Sequence, residues 1–93
     1  MHLPIEIDTK IYDSYIGEYE LAPDFIVTIT REDNRIFTQA TGQNKFEIYP
    51  ESKTKFFLKA FDAQVTFVKN EQGKVTELIM HQGGREFSAK KIK

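Results

Sequence analysis

The sequence predicts an all-β domain, a single antiparallel up-and-down barrel or half-barrel of about eight short strands that follows a short helical turn. A chain of 93 residues can enclose one hydrophobic core and leaves no room for a second domain. Runs of β-branched and aromatic residues alternate with turn-forming residues at close intervals, which is typical of a strand meander. With 40% hydrophobic residues and a net charge of -1, the chain is too apolar for disorder.

We divide the chain into a lead-in segment over residues 1–14 and a barrel-like domain over residues 15–93. In the lead-in, Asp8 is a candidate helix N-cap, and Ile11, Tyr12 and Tyr15 follow at helical spacing, so one or two helical turns are expected there. The predicted strands are residues 15–21, 25–31, 35–41, 45–49, 56–60, 64–69, 74–82 and 85–92.

Apolar and polar residues alternate within several of these runs, as they do in a strand with one buried face. Val65 and Phe67, for example, alternate with Gln64 and Thr66, so we expect Phe67 to be among the most buried residues. The alternation fails in residues 74–82, where Val75 and Leu78 are three apart, which indicates a β-bulge or a change of facing.

Turn-forming residues separate the runs. Pro23 cannot donate to a ladder, and Asp33-Asn34 and Gly83-Gly84 suit two-residue hairpins. Gly73 ends a predicted type I turn and should have a positive φ. Gly17 lies inside a strand, where a missing side chain usually marks a bulge or the close approach of a neighbour.

Consecutive strands joined by short loops should pair antiparallel, and eight of them can hide their edges in a barrel or in a two-layer sandwich. We favour the barrel, because every predicted loop has hairpin length and a Greek key needs at least one long return connection.

Composition excludes several classes of function. Thirteen basic and fourteen acidic residues are interspersed along the chain, so there is no charged surface of the kind that binds nucleic acid or an anionic membrane. Without Cys, disulfides, thiolate nucleophiles and zinc–thiolate sites are excluded. The residues at the start do not form a signal peptide, and no segment approaches the roughly 20 apolar residues of a spanning helix. We expect a soluble chain whose compartment the sequence leaves open.

The segment over residues 52–55 matches a catalytic motif, but its context does not fit. Ser52-Lys53-Thr54-Lys55 has the Ser-x-x-Lys spacing of penicillin-binding proteins and serine β-lactamases, in which the Ser opens a helix and the Lys one turn later reaches its hydroxyl. Here an apolar run, predicted to be a strand, follows at once, and on an extended chain a Ser and a Lys three apart point to opposite faces. We interpret the match as a polar hairpin loop.

Other titratable residues have ordinary structural explanations. His81 is expected to be a hydrogen-bonded residue at a strand end, because a general base needs a nucleophile and a metal site needs further ligands. Glu18 and Glu20 share one face of a strand and, with the other carboxylate pair, Glu47 and Glu51, should be solvated. The sequence therefore assigns no catalytic, cofactor-binding or metal-binding residue.

The aromatic residues allow either a packed core or a ligand-binding barrel interior. An eight-stranded barrel is only just wide enough to be filled by side chains, and each aromatic ring buries about 150–250 Å². Seven rings should occupy most of that space, so we favour a packed core. The seven are Tyr15, Tyr19, Phe25, Phe46, Phe57, Phe67 and Phe87.

Several segments together resemble a family of uncharacterised domains. Examples are Gln39-Ala40-Thr41-Gly42-Gln43 and His81-Gln82-Gly83-Gly84, and the others are residues 15–21, 46–52, 55–57, 65–67, 73–75 and 89–92. The family is known mainly as a C-terminal domain of β-lactamase-related serine hydrolases, including esterase-like and D-aminopeptidase-like enzymes. The resemblance covers residues 15 to 92, with residues 5 to 14 similar to the family's lead-in. It implies a lipocalin-like barrel and no activity of its own.

These observations leave three hypotheses. The first is a non-catalytic accessory domain that packs on a serine hydrolase domain or regulates access to it, which would make the chain an exported one if it is excised from such a parent. The second is a β-barrel that binds a small molecule or a peptide at its mouth or at a strand edge. The third and least favoured is an independent hydrolase. None of them involves a cofactor, nucleic acid or a membrane.

Overall fold

The structure, a computed structural model, describes residues 9–59 and 62–93. They form eight antiparallel strands that follow one another around a closed barrel, preceded by one short helix. The helix is a 3-10 helix over Thr9–Ser14, and the strands are β1 (Gly17–Ala22), β2 (Phe25–Glu32), β3 (Arg35–Ala40), β4 (Lys45–Pro50), β5 (Lys55–Phe57), β6 (Ala63–Lys69), β7 (Val75–Gln82) and β8 (Arg85–Lys91). The predicted N-cap Asp8 lies outside the described residues.

The barrel closes where the first and last strands pair. Each strand pairs antiparallel with the next, and β1 pairs with β8 through Tyr19↔Lys91 and Glu20↔Lys90. This confirms the predicted up-and-down barrel, closed rather than half-open, and excludes the sandwich.

The predicted turn chemistry is confirmed at several loops. Gly83 and Gly84 both have positive φ, as a type I′ hairpin requires, and Asp33 has a φ of 55° in the two-residue turn between β2 and β3. Gly73 has a φ of 79°, and its N–H donates to the carbonyl of Asn70 at 3.0 Å. The Asn70 side chain accepts from two further backbone N–H groups, so this turn is held by its own residues.

The irregular run in β7 contains the predicted bulge. Lys69 pairs with Val75 and Val68 with Glu77, so one extra residue lies on β7 between these pairs. Its effect is that Val75 and Leu78 are both buried although three apart. The strand predicted over residues 56–60 is shorter in the structure, where β5 ends at Phe57, and Ala60 lies outside the described residues.

Aromatic side chains fill one end of the barrel, which we call the packed end. It is the end at which β1 begins and β2 ends. The Tyr15 ring stacks on Phe67 with centroids 4.2 Å apart and 3° between the planes, and Phe56 meets Phe67 edge to face at 5.5 Å. Tyr12, from the 3-10 helix, packs against Phe56. Phe67 is 2% exposed, which confirms the prediction that it is among the most buried residues.

Two of the buried tyrosines at the packed end, Tyr15 and Tyr19, donate hydrogen bonds through their hydroxyl groups. The Tyr15 hydroxyl donates to the carbonyl of Lys53 at 2.5 Å, and the Tyr19 hydroxyl donates to the carbonyl of Tyr15 at 2.7 Å. Burial raises the pKa of both phenols above the ordinary tyrosine value, most strongly for Tyr19. The segment between the helix and β1 is thereby tied into the core.

The predicted aromatic core is wrong for Phe57 and Phe87, whereas Phe25 and Phe46 pack against the core but belong to it only in part. Phe57 is buried but lies outside the core, where it contacts Tyr49, and its neighbour Phe56 takes the inward position. Adjacent strand residues face opposite sides, so only one of the two can point inward. Phe25 and Phe46 are only half-buried, and Phe87 is 38% exposed. These last three line the opposite end of the barrel, which is not filled.

Candidate functional site

The unfilled end of the barrel contains a cavity of about 310 Å³, which we call the mouth cavity. It lies at the end where β1 ends and β2 begins, so we call this the open end. Its wall is built mainly from inward-facing strand residues and from the loop between β3 and β4. The apolar lining residues are Leu21, Phe25, Val27, Ala40, Phe46, Leu58, Met80 and Phe87, and the polar ones are Thr38, Gln43, Asn44 and Gln82.

Strand pairing explains why the cavity is open at this end. The β1–β8 seam has two residue pairs, Tyr19↔Lys91 and Glu20↔Lys90, and β4 pairs with β5 only through Tyr49↔Phe57 and Pro50↔Phe56. Within the described residues, both sets of pairs stop short of the open end. The result is visible at Phe87, which faces inward beside Met80 and yet remains 38% exposed.

Thr38 is the one buried polar residue on the cavity wall among the residues that the structure describes. Only 5% of it is exposed, and it lies opposite Ile29 on one side and Phe46 on the other. Its hydroxyl can both donate and accept a hydrogen bond, so it can bind a polar group of a molecule that enters the cavity.

The loop that carries the cavity's amide groups is held in place by hydrogen bonds. The backbone N–H of Thr41 donates to the carbonyl of Ile26 at 3.0 Å, and the N–H of Gln43 donates to the carbonyl of Ala40 at 2.9 Å. The Thr41 hydroxyl also accepts from the backbone N–H of Ile26 at 2.9 Å. The side chain of Gln39 donates to the carbonyl of Gln43. This wall of the cavity is therefore fixed before any ligand binds.

No ionisable side chain lines the cavity among residues 9–59 and 62–93. Two ion pairs from the strands of this wall lie on the outer face of β2–β4. Arg35 contacts Glu47 at 2.6 Å, and Lys45 contacts Glu32 at 2.5 Å. The hydrogen bond from Lys45 lowers the pKa of the Glu32 carboxyl. Both cations also lie over the ring of Phe37, which explains why this outward-facing aromatic is buried.

The Ser-x-x-Lys segment forms a turn in the structure. Ser52 is exposed, its hydroxyl accepts from the backbone N–H of Lys55 at 3.1 Å, and its own N–H donates to the carbonyl of Lys55 at 3.0 Å. Lys55 begins β5, so no helix joins the two residues. The segment also lies at the packed end of the barrel, away from the mouth cavity.

The remaining candidate residues are dispersed over the surface. His81 lies near the end of β7, with its Nε2 atom 3.3 Å from the Thr66 hydroxyl and its Nδ1 atom 3.7 Å from a Glu86 carboxylate oxygen. Glu18 lies 3.9 Å from the Lys93 amine, and Glu20 is exposed. Glu47 belongs to the outer pair with Arg35. Glu51 follows β4 in the turn that contains Ser52, and one of its carboxylate oxygens is buried, so the expectation that Glu51 is solvated is wrong for that oxygen. The structure does not bring these residues together.

The residues that the structure describes contain no group of three or more His, Cys, Asp or Glu side chains arranged to hold a metal ion. None of their helices has the length and apolar character needed to cross a membrane.

Sequence reasoning named only Phe25, Phe46 and Phe87 among the cavity residues, and it assigned them to a packed core. It missed Thr38, although the alternation in β3 contains the signal: Ile36, Thr38 and Ala40 share one face. A polar residue on that face is a sign of a site that the core does not fill.

The fold and the cavity together define a small antiparallel β-barrel with one packed end and one open, apolar end. By sequence, the chain belongs to the family described as Domain of unknown function (DUF3471), which matches residues 3–92. The family resemblance inferred from the sequence is thus confirmed.

A relative in Bacillus subtilis (strain 168) is Penicillin-binding protein 4*. It is 34% identical to this chain over 87 residues, which make up 94% of the chain and 19% of that protein. The chain thus spans about a fifth of the length of the relative that it matches.

Proposed function

We propose that this chain is a non-catalytic accessory domain that packs on a β-lactamase-related serine hydrolase domain or regulates access to it. The observation that supports this best is the unequal coverage of the match, in which 94% of this chain aligns with only 19% of a penicillin-binding protein. The greater part of that relative is other sequence, so the aligned region is a component of a larger protein.

The chemistry of the barrel agrees with an accessory role. Catalysis by a serine hydrolase needs a hydroxyl within reach of a general base and donors that stabilise the oxyanion. Ser52, which begins the Ser-x-x-Lys segment considered above, uses its hydroxyl to hold a turn. On this proposal the hydrolase domain supplies the nucleophile, and an exported location follows from the same parentage.

The genomic reading frame around residue 1 is the first test. A frame that continues upstream into a domain with a helix-borne Ser-x-x-Lys supports the proposal. A stop codon directly upstream, with no hydrolase gene beside it, contradicts it.

If the frame continues, the parent protein should be compared with a variant that lacks residues 9–93. Acylation by a fluorescent penicillin reports on the nucleophile, and kcat/KM for a small and a bulky ester reports on access. We expect acylation to persist in the variant while the ratio of the two kcat/KM values changes. An unchanged ratio, with unchanged thermal stability of the parent, would exclude both packing and regulation of access.

The mouth cavity favours a second candidate function, the binding of a small molecule. Its volume of about 310 Å³ lies at the lower end of the roughly 300–1,000 Å³ of ligand pockets, and its apolar wall with a few polar groups is typical of them. The two functions are compatible, because an accessory domain can also hold a ligand.

A further inference from the structure

We propose that the mouth cavity binds an uncharged, predominantly apolar small molecule that carries one hydrogen-bonding group, such as a primary amide or a hydroxyl on a short acyl chain. This inference rests on the second candidate function, ligand binding, and does not depend on the accessory role. It concerns the class of ligand. We argue that class from the size of the cavity, the chemistry of its wall and the hydrogen bonds that hold its loop.

The size of the cavity limits the ligand to one short chain or one small ring system. The packed end sets the floor, because Tyr19 and Phe67 are buried beneath it and leave no passage for a longer molecule. On one side the wall is closed by strand pairing between β2, β3 and β4. A longer ligand would have to extend past Phe87 or between β4 and β5, where the pairing stops short of the open end.

The chemistry of the wall selects against charge. The described lining residues include eight apolar side chains and no carboxylate, ammonium, guanidinium or imidazole group. A charged ligand would lose its hydration without gaining an opposite charge, which is far more costly than the burial of an amide or a hydroxyl.

The polar groups of the wall indicate where the hydrogen-bonding group of the ligand lies. Thr38 is buried inside the cavity, whereas Gln43, Asn44 and Gln82 are exposed at its mouth. We assign the hydrogen bond of the ligand's polar group to the Thr38 hydroxyl, because Thr38 is the buried polar residue of the wall among the described residues. The loop that carries Gln43 and Asn44 is already ordered by its bonds to β2, so binding does not require it to fold.

The test uses the full chain and the uncharged fluorescent dye prodan as the probe. We expect a saturable increase in prodan fluorescence, which reports transfer of the dye to an apolar site. Octanamide should displace the dye, whereas octanoate and octylammonium, with the same chain length, should compete at least about a hundredfold more weakly at neutral pH because the cavity offers no counter-charge.

Three variants locate the site. Ala40→Phe fills the cavity and should weaken prodan binding at least about tenfold. Ser88→Phe is its control, because Ser88 lies next to Phe87 on β8, is exposed on the outer face and does not line the cavity, and it should bind like the parent. Thr38→Val keeps the shape of the side chain and should weaken octanamide about threefold to tenfold while leaving propylbenzene unchanged.

The results distinguish ligand binding itself from the class of ligand that we assign. The absence of saturable prodan binding by the folded chain would overturn ligand binding and, with it, the assigned class. Equal competition by octanoate and octanamide would overturn the class alone. Equal binding by Ala40→Phe and Ser88→Phe would place the dye outside the cavity. If Ala40→Phe does not fold, Thr38→Val still decides, because equal losses of octanamide and propylbenzene would contradict the assigned hydrogen bond.

Discussion

At the scale of single residues, Phe67 distinguishes the packed end from the open end. It is 2% exposed and lies between Tyr15, Phe56 and Tyr19. Because these rings cannot move far enough to refill the space, we expect Phe67→Ala to lower the free energy of unfolding by about 3–5 kcal/mol. That is a large part of the roughly 5–15 kcal/mol typical of a domain. Equilibrium denaturation in urea measures the change.

The control is Phe87→Ala, which truncates a ring of the same size that also faces inward but is already 38% exposed. We expect the free energy of unfolding of this variant to fall by less than about 1.5 kcal/mol, because a partly exposed ring makes fewer packing contacts that can be lost. A loss below about 1.5 kcal/mol for Phe67→Ala itself would contradict the packed-core interpretation of this end.

Tyr19 makes the stability of the barrel dependent on pH in the alkaline range. Burial raises its pKa in the folded state, so the neutral phenol stabilises the fold. The stabilisation is complete below the unfolded tyrosine pKa of about 10 and is lost as the pH rises through the higher folded value. We expect the free energy of unfolding to fall above pH 10, and denaturation at a series of pH values measures it.

The matching variant is Tyr19→Phe. It removes the hydrogen bond to the Tyr15 carbonyl, so at neutral pH it should be less stable by about 0.5–1.5 kcal/mol. It also removes one ionising group, so its stability should fall less steeply above pH 10 than that of the parent. Parallel curves for the two proteins would show that Tyr19 does not carry this pH dependence.

At the scale of elements, the start of β1 is packed against the end of the chain. Gly17 has a φ of 150°, and a Cβ atom there would overlap the carbonyl oxygen of Lys93. The N–H of Glu18 donates to that same oxygen at 3.3 Å, so the contact belongs to the closure of the barrel. We expect Gly17→Val to destabilise the protein by more than about 1 kcal/mol, measured by thermal or urea denaturation.

Gly42→Val is the control, because it also replaces a glycine of positive φ but creates no close contact. A Cβ atom at Gly42 would have no atom within 4 Å. The excess loss in Gly17→Val therefore measures the steric contact. A Gly17→Val protein that is as stable as Gly42→Val would argue against the close approach.

At the scale of the whole molecule, we expect the 93-residue chain to have no serine hydrolase activity. The Ser52 hydroxyl is engaged by the Lys55 N–H in an exposed turn, where nothing activates it as a nucleophile. Incubation with a fluorescent penicillin should give no covalent adduct by mass spectrometry, and ester turnover should match that of Ser52→Ala. Turnover that disappears in Ser52→Ala would contradict this expectation.

The features that could be predicted from the sequence are those that depend on residues close together in the chain. Local patterns specified the eight strands, the Gly83-Gly84 turn and the bulge in β7, because turn conformation and alternation depend on residues close together in the chain. They also predicted the burial of Phe67 and the constrained position of Gly17.

Only the tertiary structure decided which rings fill the barrel. In Phe56-Phe57-Leu58 every residue is buried, so the run contains no alternation from which the inward residue could be read. The mouth cavity depends on more than facing: Phe25, Phe46 and Phe87 all point inward, as alternation allows, but they line a cavity. How far an interior is filled depends on the side chains of all eight strands together and on where the seams stop pairing, and no single segment of sequence contains that information.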